Sequence, residues 1–132
     1  MSESSEAART RHHPTIMIIE DDADISEAIV ATLEDNGYSV LTATNGQDAL
    51  DKLRRTTTLP NLILLDLMMP VMDGWQFRAA QTSDPLLAVV PVVLLSARVD
   101  VEAAAEQMAT AGWLRKPVDL AALLDAVARP CS

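Results

Sequence analysis

The sequence predicts an α/β fold, a doubly wound parallel sheet of five strands surrounded by five helices. Two observations carry that expectation. Short apolar blocks alternate strictly with amphipathic stretches, and three of the blocks are apolar at successive positions rather than at every second one. Strands covered by helices on both faces have that pattern, whereas one-sided sheets alternate apolar with polar. The scale agrees: 132 residues, 49% of them hydrophobic, suffice for one domain with a real core and are too few for two comfortable ones.

Taken in order, Thr15–Ile19 (TIMII) is the first strand. Ile25, Ile29 and Leu33 then recur every four residues, and Asn36-Gly37 supplies a left-handed stop to that helix. Tyr38–Ala43 (YSVLTA) is the second strand, and Ala49, Leu50 and Leu53 mark a helix after Asn45-Gly46. The third strand is Leu62–Leu65 (LILL). Asp73 caps a third helix running through Trp75 and Ala79, with Asp73-Gly74 as the turn into it. Val92–Leu95 (VVLL) precedes a helix marked by Val101, Ala104, Ala105 and Met108. A weaker strand, Gly112–Leu114, leads to the last helix, where Leu120, Leu123, Leu124 and Val127 follow a cap at Asp119. Such alternation implies right-handed crossovers. Residues 1–14 are expected to be a flexible tail and residues 15–129 the domain.

Composition narrows the function classes. A net charge of −9 repels nucleic acid phosphates, so direct nucleic acid binding is not expected. No apolar run is long enough to cross a bilayer and the first residues are polar, so neither membrane span nor signal peptide is expected. The default compartment is the cytoplasm. The single cysteine, Cys131, lies between Pro130 and Ser132; it fits a reducing compartment and a frayed tail better than a catalytic thiol. His12-His13 have no third ligand nearby and belong to the tail. Met68, Met69 and Met72 read as loop packing, since no Cys or His accompanies them.

Ligands of parallel sheets bind in the crevice outside the carboxyl ends of the strands. The first strand ends in Glu20-Asp21-Asp22, the third in Asp66, the fourth in Ser96 and the fifth in Lys116-Pro117. Two carboxylates ~5 Å apart repel by about 3 kcal/mol at an effective dielectric of ~20. Three remain ionised together only if something positive compensates. A hard divalent cation suits an all-oxygen site, and magnesium favours a few carboxylates with retained waters and phosphate oxygens. Lys116 adds a second positive charge, able to pair with Asp66 and then with a phosphoryl oxygen. A carboxylate in such a place is a nucleophile toward phosphorus, and magnesium and Lys116 would stabilise the transferring group. Ser96 reads equally as a turn residue or as a hydroxyl that donates to the new group. Alone, Glu20-Asp21-Asp22 would be a solvated helix start; with Asp66 and Lys116 in register, a metal site is the stronger reading.

The segments IIEDD (Ile18–Asp22), LLDLMMPVMDGW (Leu64–Trp75), VVLLSA (Val92–Ala97) and LRKP (Leu114–Pro117) together resemble the receiver domains of two-component response regulators. The resemblance spans Thr15 to about Ala128. It implies a flavodoxin-like sheet in the order 2-1-3-4-5, with Asp66 as phosphoacceptor. Asp21 would ligate Mg2+ directly and Glu20 through water, with Asp66 and the backbone carbonyl of Met68 completing the protein ligands. Asp22 reads as an early helix cap. Ser96 matches the switch hydroxyl, and Lys116 the family's lysine, followed by a cis Pro117. Trp113 stands where the family usually has a tyrosine or phenylalanine that rotates inward, and it is bulkier than either ring. Met68 and Arg98 occupy positions that bear on the lifetime of the phosphoryl group, Arg98 either shielding it or docking on it.

The implied partners are a histidine kinase or phosphotransfer protein upstream and another protein downstream. The downstream partner would meet the face of the fourth helix, fifth strand and fifth helix, beside Ser96 and Trp113. No output domain follows Ser132 and only residues 1–14 precede the first strand, so a stand-alone receiver is expected, with no enzymatic activity beyond its own phosphorylation and dephosphorylation. Three alternatives compete. An aspartyl phosphohydrolase usually has a second acid two residues after a nucleophile on the first strand; here that position is Met68 and the strand is the third. A phosphorylation-independent pseudo-receiver normally lacks an acid or the lysine, and none is missing. A flavin-binding protein of similar fold would need a phosphate-cradling loop after the first strand, which is absent.

Overall fold

The structure, a computed structural model, describes residues 14–131. The tail expected for residues 1–14 lies outside the described residues except for Pro14, as does the His12-His13 pair. The elements are β1 (Thr15–Ile19), α1 (Ala23–Asp35), β2 (Ser39–Ala43), α2 (Gly46–Arg55), β3 (Leu62–Asp66), α3 (Gly74–Thr82), β4 (Val92–Ser96), α4 (Val101–Gln107), β5 (Gly112–Arg115) and α5 (Leu120–Cys131). The sheet runs β2-β1-β3-β4-β5 with every neighbouring pair parallel. This is the expected flavodoxin-like order.

The runs of successive apolar residues divide between two cores. Met17, Ile19, Ile63, Leu65, Val92 and Leu94 face α2, α3 and α4, while Ile16, Ile18, Leu62, Leu64, Val93 and Leu95 face α1 and α5. Side chains alternate across a strand, so only a sheet covered on both faces can use an uninterrupted apolar run. Each such side chain contributes roughly 1.5–3 kcal/mol relative to exposure. The edge strands β2 and β5 are only partly buried, which is why their sequences look weaker.

Local chemistry sets the helix ends. Asp22 caps α1, accepting from the amides of Asp24 and Ile25; Asn45 caps α2; Asp73 and Gln76 form a reciprocal capping box on α3. Asp119 accepts from the Ala121 amide at the start of α5. Gly37, with φ of 90°, carries the chain out of α1.

Two expectations about packing, at Leu120 and Met68, need correction. In α3 the inward face is Gly74, Phe77 and Gln81, with Ala79 exposed and Trp75 partly buried against the core. Gly74 decides this rotation: its amide donates to the Leu67 carbonyl at 2.9 Å, and a Cβ there would lie 2.7 Å from the Asp66 carbonyl oxygen. Leu120 is 43% exposed, and α5 enters the core through Leu123 and Val127, one turn later than its periodicity suggests. Of the methionines, Met69 joins the core and Met72 packs against it, but Met68 is exposed.

Candidate functional site

The carboxyl ends of β1, β3, β4 and β5 converge on a cleft of about 450 Å3 lined by Glu20, Asp21, Asp66, Ser96, Arg98 and Lys116. Glu20, Asp66 and Ser96 are almost wholly buried, while Asp21 is exposed. The β1–α1 turn orients Glu20: its amide donates to the Ala43 carbonyl, and its Oε2 accepts from the Asp22 amide at 3.1 Å. Asp22 itself is spent on capping α1. Carboxylate oxygens of Glu20, Asp21 and Asp66 lie within 4.8 Å of one another.

Lys116 reaches this group from β5, its amide bonded to the Ser96 carbonyl and its peptide bond to Pro117 cis. Its Nζ lies 2.7 Å from Glu20 Oε1 and 3.3 Å from Asp66 Oδ1. The sequence suggested Asp66 as the partner; the shorter contact is to Glu20. That contact falls outside hydrogen-bond geometry, so Glu20 Oε1 is a buried carboxylate oxygen with a charge beside it and no directed hydrogen bond.

The electrostatics follow from burial. Loss of water, and then the charge of Glu20, push the Asp66 carboxyl up to about 7, against the pull of Lys116 and of the Met68 amide that donates to it at 3.3 Å. Burial works against the Lys116 ammonium, but Glu20 and Asp66 together outweigh it and raise its pKa. One lysine therefore holds two buried acids, and the site lacks positive charge. The donor set is all oxygen, the kind a small hard cation takes.

At the rim, the Ser96 hydroxyl oxygen accepts from the Arg98 amide at 3.1 Å. The Arg98 guanidinium stacks over the Trp75 ring, 5.3 Å from its centroid, and grips both oxygens of Asp100 at 2.8 and 2.9 Å. Trp113 is not part of the cleft; its ring is 37% exposed on the outside of β5 with the Arg115 guanidinium 5.7 Å away.

A family model, that of the response regulator receiver domain, matches residues 16–128. The chain belongs to the response regulator receiver family. This receiver is 32% identical over 114 residues to PilG of Pseudomonas aeruginosa, covering 85% of the chain and 83% of PilG. It is 40% identical over 88 residues to the transcriptional regulatory protein AfsQ1 of Streptomyces coelicolor, covering 66% of the chain. The chain thus spans about a third, 36%, of that relative's length. Among solved structures it superposes on the chemotaxis response regulator CheY4 of Vibrio cholerae with a TM-score of 0.80 at 28% identity, covering 89% of this chain and 98% of the other. Among the described residues no helix is long and apolar enough to cross a membrane.

The receiver fold thus gathers Glu20, Asp21, Asp66, Ser96 and Lys116, all read from the sequence, and leaves Trp113 apart. Two contributions were not legible. Gly74 looked like a turn residue, and only its approach to the Asp66 backbone shows that it positions the acid. The Arg98–Trp75–Asp100 cluster joins the β4–α4 loop to the first turn of α3, and no spacing in the sequence marks it.

Proposed function

We propose that this receiver accepts a phosphoryl group on Asp66 from a histidine kinase or phosphotransfer protein, with Mg2+ bound at Glu20, Asp21 and Asp66. The observation that carries the reading is the charge imbalance at the cleft. Two buried carboxylates and a third at the surface share one ammonium, and a buried Glu20 oxygen has no directed hydrogen bond. Asp21 and Asp66 would hold the ion directly, Glu20 through water, and the Met68 carbonyl would complete the protein ligands. Bound there, magnesium supplies charge stabilisation for the transferring phosphoryl oxygens.

The chain's own groups do the rest. An Asp66 carboxylate oxygen attacks the phosphorus of a phosphohistidine. A P–O bond forms, the P–N bond breaks, and its electron pair returns to the imidazole, leaving an acyl phosphate. Lys116 then pairs with a phosphoryl oxygen. The Ser96 hydroxyl accepts from Arg98 while its own proton is given to no acceptor among the described residues, so it is available to the phosphoryl group. Hydrolysis by water would return Asp66 and inorganic phosphate, the only other chemistry expected of the chain.

Output would follow from binding another protein through the α4–β5–α5 face, where Trp113 and Arg115 are exposed. The acidic surface argues against direct contact with nucleic acid, and a cytoplasmic setting suits a kinase-fed receiver. The test is intact mass after incubation with acetyl phosphate, with and without magnesium, for wild type and Asp66→Asn. One magnesium-dependent phosphoryl adduct, absent in Asp66→Asn, is expected. Labelling of that variant at the wild-type level would overturn the assignment of Asp66.

A further inference from the structure

Four of the five helices begin with a side-chain cap: Asp22, Asn45, Asp73 and Asp119. Among the described residues α4 is the exception. Asp100 occupies its N-cap position but makes no capping hydrogen bond, and its backbone, at φ −97° and ψ 20°, lacks the extended conformation of the caps on α1, α2 and α3. Its carboxylate is diverted. Both oxygens are held by Arg98, whose guanidinium also lies over Trp75, so α4 begins without a side-chain cap.

Arg98 lines the same cleft as Asp66, and its amide is bonded to the Ser96 hydroxyl. Its ion pair with Asp100 is half exposed on both sides, a setting in which such pairs are weak and screened. A phosphoryl group on Asp66 would bring roughly −2 charge and three acceptor oxygens to the better buried end of the cleft. A planar guanidinium matches phosphoryl oxygens in pairs, so Arg98 has a stronger partner within that cleft than the one it holds.

The geometry points to Arg98 as a second cationic ligand of the phosphoryl group, held in reserve by Trp75 and Asp100, whose transfer releases Asp100 to cap α4. This rests on the assignment of Asp66 as acceptor. It adds a route to α4 that runs through neither Lys116 nor Trp113: phosphorylation removes Arg98 from Asp100, Asp100 turns to the Glu102 and Ala103 amides, and the first turn of α4 tightens. Of two roles open to Arg98, shielding or docking, this selects docking.

The experiment is amide hydrogen exchange over residues 99–107 in full-length protein, with the phosphoryl adduct quantified by intact mass in the same samples. In wild type, acetyl phosphate with magnesium should raise protection of the first turn of α4 several-fold. Arg98→Ala should show the raised protection before phosphorylation and no further rise. Asp100→Ala should show low protection in both states, and Arg98→Lys should restore part of the wild-type response. With Trp113→Phe making Trp75 the sole tryptophan, emission of Trp75 should change on phosphorylation, and not when Arg98 is also Ala. An adduct with unchanged protection in wild type, or an undiminished rise in Asp100→Ala, overturns the transfer while leaving Asp66 as acceptor. Failure to form any adduct overturns both.

Discussion

Lys116 and Glu20 form the shortest ion pair of the cleft, Nζ to Oε1 at 2.7 Å, with Glu20 almost wholly buried. Glu20 is therefore more than an outlying acid beside the proposed acceptor, Asp66. It shares the one ammonium with Asp66, and any cation that relieves Glu20 leaves Lys116 free to follow a new phosphoryl group.

Removing the lysine tests this sharing. Lys116→Ala leaves two buried carboxylates with no cation, and the metal-free protein is expected to lose about 2 kcal/mol, a value below that for a fully buried pair because Lys116 is partly exposed. Magnesium should restore most of the loss, since it replaces the missing charge. Urea denaturation with magnesium and with chelator measures both; an equal loss in the two conditions would count against a cation at this site. Phosphorylation should no longer change the affinity for a downstream partner in this variant.

Asp66 makes stability depend on pH. Its folded-state carboxyl titrates at about 7 instead of the ordinary 3.8 because it is buried beside Glu20. Between those values the folded protein binds more protons than the unfolded chain, so stability falls as pH rises through that window. Asp66→Asn removes the titration and should flatten the profile, gaining stability over wild type at pH 8 relative to pH 4. Denaturation midpoints across pH in chelator provide the check, and parallel profiles would refute the raised pKa.

Two glycines separate local from tertiary demands. Gly74→Ala would put a Cβ 2.7 Å from the Asp66 carbonyl oxygen and 2.8 Å from Leu67 Cα. Backbone has to move, at a cost of about 1–3 kcal/mol, and acceptance of phosphate should fall with it. Gly37→Ala meets nothing within 4 Å but must hold φ at 90°, costing about 1–2 kcal/mol with phosphorylation intact. Thermal unfolding and adduct formation, measured on both, distinguish the two.

Gln81 is fully buried, its amide nitrogen donating to the carbonyls of Leu87 and Val90 at 3.0 Å while its oxygen accepts from Arg78. Gln81→Leu strands these groups and should destabilise by about 2–3 kcal/mol, measurable by urea denaturation. A neutral effect would mean that water replaces the amide.

The alternation of apolar runs with amphipathic stretches was enough to determine the number, kind and order of elements, because a doubly covered sheet is the one setting where the runs IMII, LILL and VVLL bury every residue. Glu20, Asp21, Asp66, Ser96 and Lys116 were legible for a related reason: polar groups placed directly after such runs must emerge at one end of the sheet. What only the tertiary structure decided are relationships between elements that no periodicity encodes. Lys116 pairs with both acids and lies closer to Glu20 than to Asp66, a difference set by the reach of one flexible side chain. Phe77 faces inward because Gly74 must touch the backbone of β3, and Gln81 is interior because Leu87 and Val90 present carbonyls to it. Asp100 directly precedes α4, yet Arg98, two residues before it, holds its carboxylate away from that helix. Hydrophobic patterning reports burial along one chain segment, whereas pairing among polar groups depends on distances of a few ångströms set by the packed whole.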